Sequence, residues 1–366
     1  MKPESHDPKL PDQPIRTVEE MGLKELERIR LILRGGSVID WRRMHFRTRD
    51  EVDRFLKLCL LDMSKPADEA WARLLLKDAV DYLRKTFDYR VADAVAEPEE
   101  IHDLFLFASG AKELTKYRRI ACIVLKVLHV LQHIEGRDLL FQLAVSEADL
   151  SELIAAKVLA VAREIREKGL PVVEFEDSIK TRDSLVTKLI AKKETVAAQV
   201  YDRTRFRIVT KTRADIVPVL YFLTQRLFPF NFVVPGQTEN TLIPFKSLIA
   251  DYPHLADYAE QLHLDVNYED REDHAGNQFS GHTYRALNFV VDVPIRMDAF
   301  LPPPAEDTRL RPCRMVYSLV EFQILDEETA AENEQGENAH ALYKRRQKRK
   351  VLRRLSSGLV VPKSRT

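Results

Sequence analysis

The feature that most constrains the fold is a change of periodicity near Gly169-Leu170-Pro171, close to the middle of the 366-residue chain. Before this point, apolar residues such as Val52, Phe55 and Cys59 recur at three- and four-residue steps, which is the period of an amphipathic helix. After it, β-branched and aromatic residues form short alternating runs bounded by Pro and Gly, which is typical of strands. The sequence therefore predicts a helical part followed by a mixed α and β part.

These patterns divide the chain into segments. A capping box formed by Thr17 and Glu20 predicts a helix that continues through Leu33 and ends at Gly35-Gly36. The predicted segments are a disordered tail over 1–16, a helical domain over 17–170, a mixed domain over 171–355 and a second tail over 356–366. Two polar stretches, 247–281 and 297–312, are predicted insertions into the mixed domain.

Within the mixed domain, alternation and helical period separate two kinds of element. The predicted strands are 205–209, 286–293 and 317–325, and the predicted helices are 183–198, 216–227 and 328–355. The expected fold class is α+β.

Composition excludes several classes of protein. Lys+Arg and Asp+Glu are equal at 57 each, so no global field attracts nucleic acid or a membrane surface. The three cysteines, Cys59, Cys122 and Cys313, lack metal-type spacing, and an odd number argues against a disulfide framework. The longest apolar stretch, 120–131, is too short to span a bilayer, and the N-terminus lacks an apolar signal-peptide core. We therefore expect a cytoplasmic protein that does not insert into membranes.

Two carboxylates are candidates for metal binding. Asp202 opens the first predicted strand, where a carboxylate can hold magnesium, although a charged residue at the start of a strand more often lies at a solvated edge. Glu321 lies on a strand with Gln323 on its own face and Phe322 on the other. A buried carboxylate needs a partner, a metal or an edge facing water.

Several cationic residues suit phosphate. Arg205 and Arg207 share one strand face, and guanidinium groups match phosphate oxygens, although a surface row of cations is the simpler alternative. Upstream, Lys180, Ser184 and Lys188 are spaced by four and line one face of a helix that begins early.

The remaining candidates lie in two segments nearer the C-terminus. Tyr284 stands at the start of a strand, where its ring can either stack on a base or pack in the core. His340 and Lys344 share a face of the last predicted helix. That helix begins acid-rich and ends base-rich, a polarity that the helix dipole also explains.

Taken together and in this order, these segments resemble the synthetase domain of RelA/SpoT proteins, the enzymes that make ppGpp and pppGpp. Tyr284-Arg285-Ala286-Leu287-Asn288 is similar to the family signature Tyr-Arg-Ser-Leu-His. Glu321-Phe322-Gln323-Ile324 is similar to the strand Glu-Ile-Gln-Ile. Glu334-Gln335-Gly336 followed by His340 and Lys344 resembles the closing helix of the family. The resemblance covers 180–344.

The resemblance implies an N-terminal helical domain followed by a nucleotidyltransferase domain with a mixed sheet flanked by helices. It implies magnesium-dependent pyrophosphoryl transfer from ATP to the 3′ hydroxyl of GDP or GTP. Asp202 and Glu321 are then the catalytic residues and the ligands of magnesium. The implied nucleotide-binding residues are Lys180, Ser184, Lys188, Arg205, Arg207, Tyr284, Arg285, Asn288, Gln323, His340 and Lys344.

The sequence departs from the family at three positions, where Ser178 replaces an Arg, Thr283 a Gly and Asn288 a His. Lys246 or His282 is a candidate substitute for the family's loop lysine. Two other functions therefore stay open: transfer to the 3′ end of tRNA, suggested by the basic run 344–354, and a nucleotide-binding regulator without turnover. The oligomeric state is not determined by these patterns.

The helical half is similar to no catalytic domain of this family. Long RelA/SpoT proteins carry a hydrolase domain with a His-Asp metal motif, and His129, His133 and Glu135 do not reproduce that motif. We therefore predict no alarmone hydrolysis.

Overall fold

The computed structural model describes residues 7–35, 44–111, 115–179, 182–191, 204–245, 248, 251–261, 284–301, 314–335 and 340–356. Its first half is helical. The helices are α1 (Leu23–Arg34), α2 (Arg49–Leu58), α3 (Pro66–Phe87), α4 (Asp93–Ala96), α5 (Ile101–Ser109), α6 (Thr115–Gln142) and α7 (Glu147–Glu167). Within these described ranges, no helix combines the length and the apolar character that crossing a bilayer requires.

Local sequence signals set the ends of several helices. The Ser146 hydroxyl accepts a hydrogen bond from the Asp149 backbone N–H at 3.1 Å and so caps the start of α7. Gly35 ends α1 with a φ of 64°, a conformation that glycine adopts without a steric penalty. The predicted start of the first helix is wrong. Thr17 and Glu20 cap only a short 3-10 turn, and α1 begins after Gly22, whose N–H donates to Glu25.

The second half forms a five-stranded sheet. Its strands are β1 (Val172–Ile179), β2 (Thr204–Thr210), β3 (Glu239–Asn240), β4 (Leu287–Arg296) and β5 (Met315–Asp326), in the order β1-β2-β5-β4-β3. β2 and β5 are parallel, and the other neighbours are antiparallel. The three predicted strands and the α+β class are confirmed. The alternating run that forms β1 was not among the predicted strands.

The helices of this half are α8 (Arg182–Ala191), α9 (Ile216–Arg226), α10 (Pro253–Gln261), α11 (Glu327–Asn333) and α12 (His340–Leu355). The prediction of one helix over 328–355 is wrong, because α11 ends at Asn333 and Glu334 follows it as a cap. The helix ends where the Asn333 side chain forms hydrogen bonds with the backbone of Arg285. In the sequence, Gly336 follows soon after and has a low helix propensity.

One face of the sheet is apolar and is covered by a stack of aromatic rings. Phe322 of β5 lies between Phe206 of β2 and Phe289 of β4, with ring centroids 5.7 and 5.5 Å away. Phe228, just after α9, packs on both Phe322 and Phe289. All four rings are fully buried, so this face forms the centre of the core.

The helical half packs against the sheet. The buried apolar residues form a single cluster that includes Leu125 of α6 and Phe322 of β5. A charged contact adds to it: Arg296 of β4 binds both carboxylate oxygens of Asp68 of α3, at 2.8 and 3.0 Å. The placement of a domain boundary near residue 170 stays a prediction.

Part of the N-terminal tail contacts two helices. The Arg226 guanidinium donates to the carbonyl oxygen of Pro11 at 2.9 Å, and Lys168 pairs with Asp12. Residues 11 and 12 therefore contact the ends of α7 and α9, and the disorder of the tail stays a prediction. Their backbone forms no regular element, so periodicity could not predict these contacts. Of the predicted tail over 356–366, the described part is Ser356, and most of both predicted insertions also lies outside the described residues.

Candidate active site

The face of the sheet opposite the aromatic stack carries polar side chains at neighbouring positions. In the parallel pair, Arg205 of β2 stands opposite Glu321 of β5, and Arg207 stands opposite Gln323. On the other side of β5, Asn288 of β4 also stands opposite Gln323. Because side chains alternate between the two faces of a strand, all five lie on one face, which we call the polar face. The predicted grouping of Arg205 with Arg207 and of Glu321 with Gln323 is confirmed.

Four buried atoms at the polar face lack a hydrogen-bond partner among the described residues. They are the Nε atoms of Arg205 and Arg207, the Oε2 atom of Glu321 and the Oε1 atom of Glu174 on the neighbouring β1. Leaving one buried polar group unsatisfied costs about 1 to 3 kcal/mol, and more when the group is charged. Native structures contain few such atoms, and each of them requires a physical explanation. A bound polar ligand would supply the missing partners.

Two acidic residues, one on β1 and one just after α11, lie near Arg207. Its Nε lies 3.6 Å from Glu174 Oε1, and its NH1 lies 3.7 Å from Glu334 Oε1. Burial raises the pKa of Glu174, Arg207 lowers it in part, and the neighbouring Glu176 raises it further. Arg207 therefore has carboxylates within ion-pair distance. Glu174 was absent from the predicted site, although Glu174, Glu176 and Ser178 alternate in the sequence as residues of one strand face do.

Gln323 holds Tyr284 and Asn288 in place. Its Nε2 donates to the Tyr284 hydroxyl at 2.6 Å and to Asn288 Oδ1 at 3.0 Å, which uses both of its N–H groups. Burial raises the pKa of Tyr284, and this effect prevails over Arg205 and the Gln323 hydrogen bond, which both lower the pKa. The phenol is therefore neutral at ordinary pH, and its hydroxyl has a fixed position on the polar face.

Two residues that sequence reasoning missed position the backbone around Tyr284. Asn333 at the end of α11 accepts from the Arg285 N–H at 3.1 Å and donates to the Arg285 carbonyl at 2.6 Å. The Thr241 hydroxyl accepts from the Ala286 N–H at 3.0 Å. Both contacts join segments that are more than forty residues apart in the chain. No local spacing signal marks Asn333 as part of the site.

Not every predicted residue reaches the polar face. Ser184 and Lys344 lie on α8 and α12, which pack against each other, and Arg285 is exposed. Lys180 and Asp202 lie outside the described residues, as do Lys246, His282 and Thr283, and the side chains of Lys188 and His340 are likewise not described. The residues that the structure brings together are Arg205, Arg207, Tyr284, Asn288, Glu321 and Gln323.

A magnesium ion fits part of this arrangement. The unpartnered Glu321 Oε2 is the kind of hard oxygen ligand that magnesium prefers. Within the described ranges, no three His, Cys, Asp or Glu side chains gather closely enough to hold a metal. The predicted second carboxylate, Asp202, lies two positions before β2 and is outside those ranges.

Comparisons with known proteins give distant matches among solved structures. No protein-family model matches the chain, and no curated protein matches it. Similar solved structures include the small alarmone synthetase 1 from Bacillus subtilis bound to its product pppGpp, at 14% identity over 57% of this chain and 87% of that chain, with a TM-score of 0.33. A GTP pyrophosphokinase family protein from Streptococcus pneumoniae is 12% identical over 57% of this chain and 84% of that chain, with a TM-score of 0.30. These neighbours are of the class that the sequence resembles.

Proposed function

We propose that this chain transfers a pyrophosphoryl group from ATP to the 3′ hydroxyl of GDP or GTP, in a reaction that requires magnesium. The observation that carries the proposal is a set of buried atoms on the polar face without a hydrogen-bond partner among the described residues, namely Arg205 Nε, Arg207 Nε and Glu321 Oε2. Of these, Arg207 Nε lies within ion-pair distance of Glu174. Two cations and a carboxylate are the groups that a polyphosphate and its metal require. The likeness in fold to alarmone synthetases agrees with this choice but does not carry it.

The phosphate side of the reaction falls to the two arginines. A guanidinium group is always charged and presents N–H donors in a fixed plane that matches phosphate oxygens. Arg205 and Arg207 project from alternate positions of β2, so both can contact one polyphosphate chain. Their charges would stabilise the negative charge that shifts to the leaving AMP as the bond between its phosphate and the pyrophosphoryl group breaks.

The acceptor side falls to Tyr284. Its hydroxyl is fixed by Gln323, and the Asn333 and Thr241 contacts hold the backbone next to it. The side chain is only partly buried, so its ring can stack on the acceptor base. Asn288 uses Oδ1 to accept from Gln323, which leaves its own N–H groups to donate to a ligand.

Glu321 would receive the proton of the acceptor hydroxyl. In the proposed reaction the 3′ oxygen forms a bond to the β-phosphorus of ATP, the bond from that phosphorus to the AMP oxygen breaks, and Glu321 takes the proton of the 3′ hydroxyl. Asp202 and Glu321 are the residues that would hold magnesium, which would supply positive charge to stabilise the phosphate groups.

The test is a transfer assay with γ-labelled ATP, magnesium, and either GDP or GTP. We expect Glu321→Gln to reduce transfer by about 100-fold or more, because a general base or metal ligand typically contributes that much. Glu328→Gln is the matched control, since Glu328 is an exposed glutamate on the neighbouring α11. A Glu321→Gln protein that folds normally and transfers label at the wild-type rate would refute the proposed site.

One observation favours a second acceptor. The face of α12 that packs against α8 includes the buried Gln347 and Val351, whereas Arg345, Lys348, Arg349 and Arg353 are exposed. A row of exposed cations suits the phosphates of an RNA backbone, and such binding weakens steeply with salt. Labelling of tRNA, but not of GDP or GTP, in the same assay would identify this acceptor. Nucleotide binding without transfer to any acceptor would indicate a regulator.

A further inference from the structure

A large cavity lies away from the polar face, between the N-terminal segment, α1, α2 and α9. It has a volume of about 550 Å³, within the range of small-molecule sites. Its lining includes Arg16, Arg28, Arg47 and Arg54, together with Tyr221 and Phe230. None of the polar-face residues lines it, and α9 continues into Phe228, which packs on the opposite, apolar face of the sheet. The cavity is therefore a separate place in the fold.

Among the described residues, three of the four arginines in this cavity have no ion pair. Arg16 pairs with Glu25 at 3.0 Å, and Glu25 also accepts a hydrogen bond from the Gly22 N–H. For the part of the chain that the structure describes, the guanidinium groups of Arg28, Arg47 and Arg54 form no ion pair or hydrogen bond. Glu51 also lines the cavity, and it accepts from the backbone N–H of Arg47 rather than from the guanidinium. The lining of the cavity thus has four arginines but only two carboxylates, Glu25 and Glu51.

Arg28 shows this imbalance most clearly. Its Nε is buried without a hydrogen-bond partner among the described residues, and its guanidinium lies over the Phe230 ring at 5.5 Å from the centroid. Burial lowers the pKa of Arg28, the nearby Tyr221, Glu25 and Glu51 oppose that effect, and Arg54 adds to it through like charge. Holding like charges near one another in a partly desolvated cavity costs free energy unless an anion compensates them.

The remaining walls are apolar. Phe55, Leu58, Pro229 and Phe230 line the cavity beside the arginines. His45, which also lines it, has a φ of 52°, a strained conformation for a residue other than glycine, and such strain clusters at ligand sites. Guanidinium forks next to apolar and aromatic walls suit a ligand with a phosphate group and an organic ring.

We propose that this cavity binds a small organic phosphate, independently of the site on the polar face. The arginines Arg28, Arg47 and Arg54 would contact the phosphate, and Phe55 and Phe230 would contact the organic part. The proposal does not depend on the proposed reaction, because it requires binding and not turnover.

The experiment is isothermal titration calorimetry on the full chain with two probes, AMP and inorganic pyrophosphate. Arg205→Gln with Arg207→Gln is the background, so that binding on the polar face does not contribute. We expect AMP to bind in this background and Arg54→Gln to weaken it about tenfold, as expected for the loss of one charged contact of about 1.4 kcal/mol. Arg90→Gln is the matched control, because Arg90 is exposed and lies outside the cavity.

Arg54 is exposed, so its substitution tests binding without risk to the core, and Arg28→Gln serves as the second variant, with its folding checked by thermal unfolding. Binding of AMP that both substitutions weaken would support the proposal. No binding of either probe at millimolar concentration would overturn it, as would AMP binding that neither substitution changes. Pyrophosphate binding as tightly as AMP would overturn the role of the apolar walls. Each outcome is independent of whether label transfer is detected.

Discussion

The same sheet carries two charged clusters that differ in how their charges are satisfied. At the end of β4, Arg296 donates to Asp68 through two nitrogens, to Asp298 at 2.5 Å and to the Leu60 carbonyl at 2.8 Å. Asp298 also accepts from Arg314 at 3.0 Å. On the polar face, Arg205 stands opposite Glu321, yet the Nε of one and the Oε2 of the other are buried without hydrogen-bond partners among the described residues.

The two clusters differ in whether the protein itself supplies hydrogen-bond partners for their buried charged atoms. A buried ion pair is tolerable when hydrogen bonds satisfy its remaining atoms, as they do around Arg296. Unsatisfied groups lower stability, and proteins retain such groups mainly where function requires them. The contrast therefore indicates that Arg296 stabilises the fold, whereas Arg205 and Glu321 serve the proposed function, and substitutions can test this difference.

The largest expected effect is on the satisfied cluster. Arg296→Met would leave the buried Asp68 without its main partner and Asp298 with Arg314 alone, so we expect the free energy of unfolding to fall by about 3 to 5 kcal/mol. Urea unfolding followed by circular dichroism measures this change. Arg163→Met, at an exposed position of α7, should change stability by less than about 0.5 kcal/mol. If Arg296→Met lowers the unfolding free energy as little as the control does, the proposed difference between Arg296 and Arg205 is wrong.

A third charged group on the sheet lies between the two cases. Asp292 Oδ2 lies 3.4 Å from His133 Nε2, and His133 Nδ1 lies 2.9 Å from the His129 carbonyl oxygen. A carbonyl oxygen can only accept, so Nδ1 carries the proton and Nε2 presents a lone pair to Asp292. Burial raises the pKa of Asp292 to about 7, with Arg137 opposing the shift, and burial also lowers the pKa of His133. The neutral pair, with the acid donating to the ring, fits this geometry.

Asp292→Asn is expected to have an intermediate effect that depends on pH. Between about pH 4 and 7 the native Asp292 binds a proton that the unfolded chain lacks, so its contribution to stability falls as the pH rises. An Asn side chain keeps an N–H donor towards His133, and because it does not titrate, it removes this pH-dependent contribution to stability. As the pH rises from 5 to 8, the unfolding free energy of the variant should increase relative to that of the wild type by about 2 kcal/mol.

The measurement is the difference in unfolding free energy between variant and wild type at pH 5, 6, 7 and 8. His129, whose pKa burial lowers to about 3, is present in both proteins, so its own titration largely cancels in the difference. Asp177→Asn, at an exposed position of β1, is the control and should give a flat difference. A flat difference for Asp292→Asn as well would show that the carboxyl is ionised in the native state.

The smallest expected effect on stability is on the polar face. Arg205→Met removes an unpartnered charge, so we expect the free energy of unfolding to stay the same or to rise by about 1 kcal/mol. The same variant should lose most pyrophosphoryl transfer. Urea unfolding and the transfer assay, carried out on one preparation, measure both properties. A loss of more than about 2 kcal/mol would show that Arg205 stabilises the fold and would place it with Arg296.

Much of the polar face could be predicted from the sequence. Alternation placed Glu321 with Gln323 and Arg205 with Arg207, because the side-chain period of a strand is fixed by its backbone. It did not reveal that β2 and β5 are parallel neighbours, since strand pairing depends on contacts between distant segments. The role of Asn333 was also hidden, and its helix was predicted to continue, because the partner of its side chain is the backbone of Arg285, 48 positions away.

The sequence by itself determined the change from helical to strand periodicity, the residues on each strand face and the family resemblance, all of which depend on local order along the chain. Tertiary structure alone decided which charges are satisfied. Arg296 and Arg205 are both arginines on β-strands, and nothing in their neighbouring residues distinguishes their roles. One meets Asp68 and Asp298, and the other meets no hydrogen-bond partner for its Nε among the described residues, because long-range packing sets the surroundings of each buried charge.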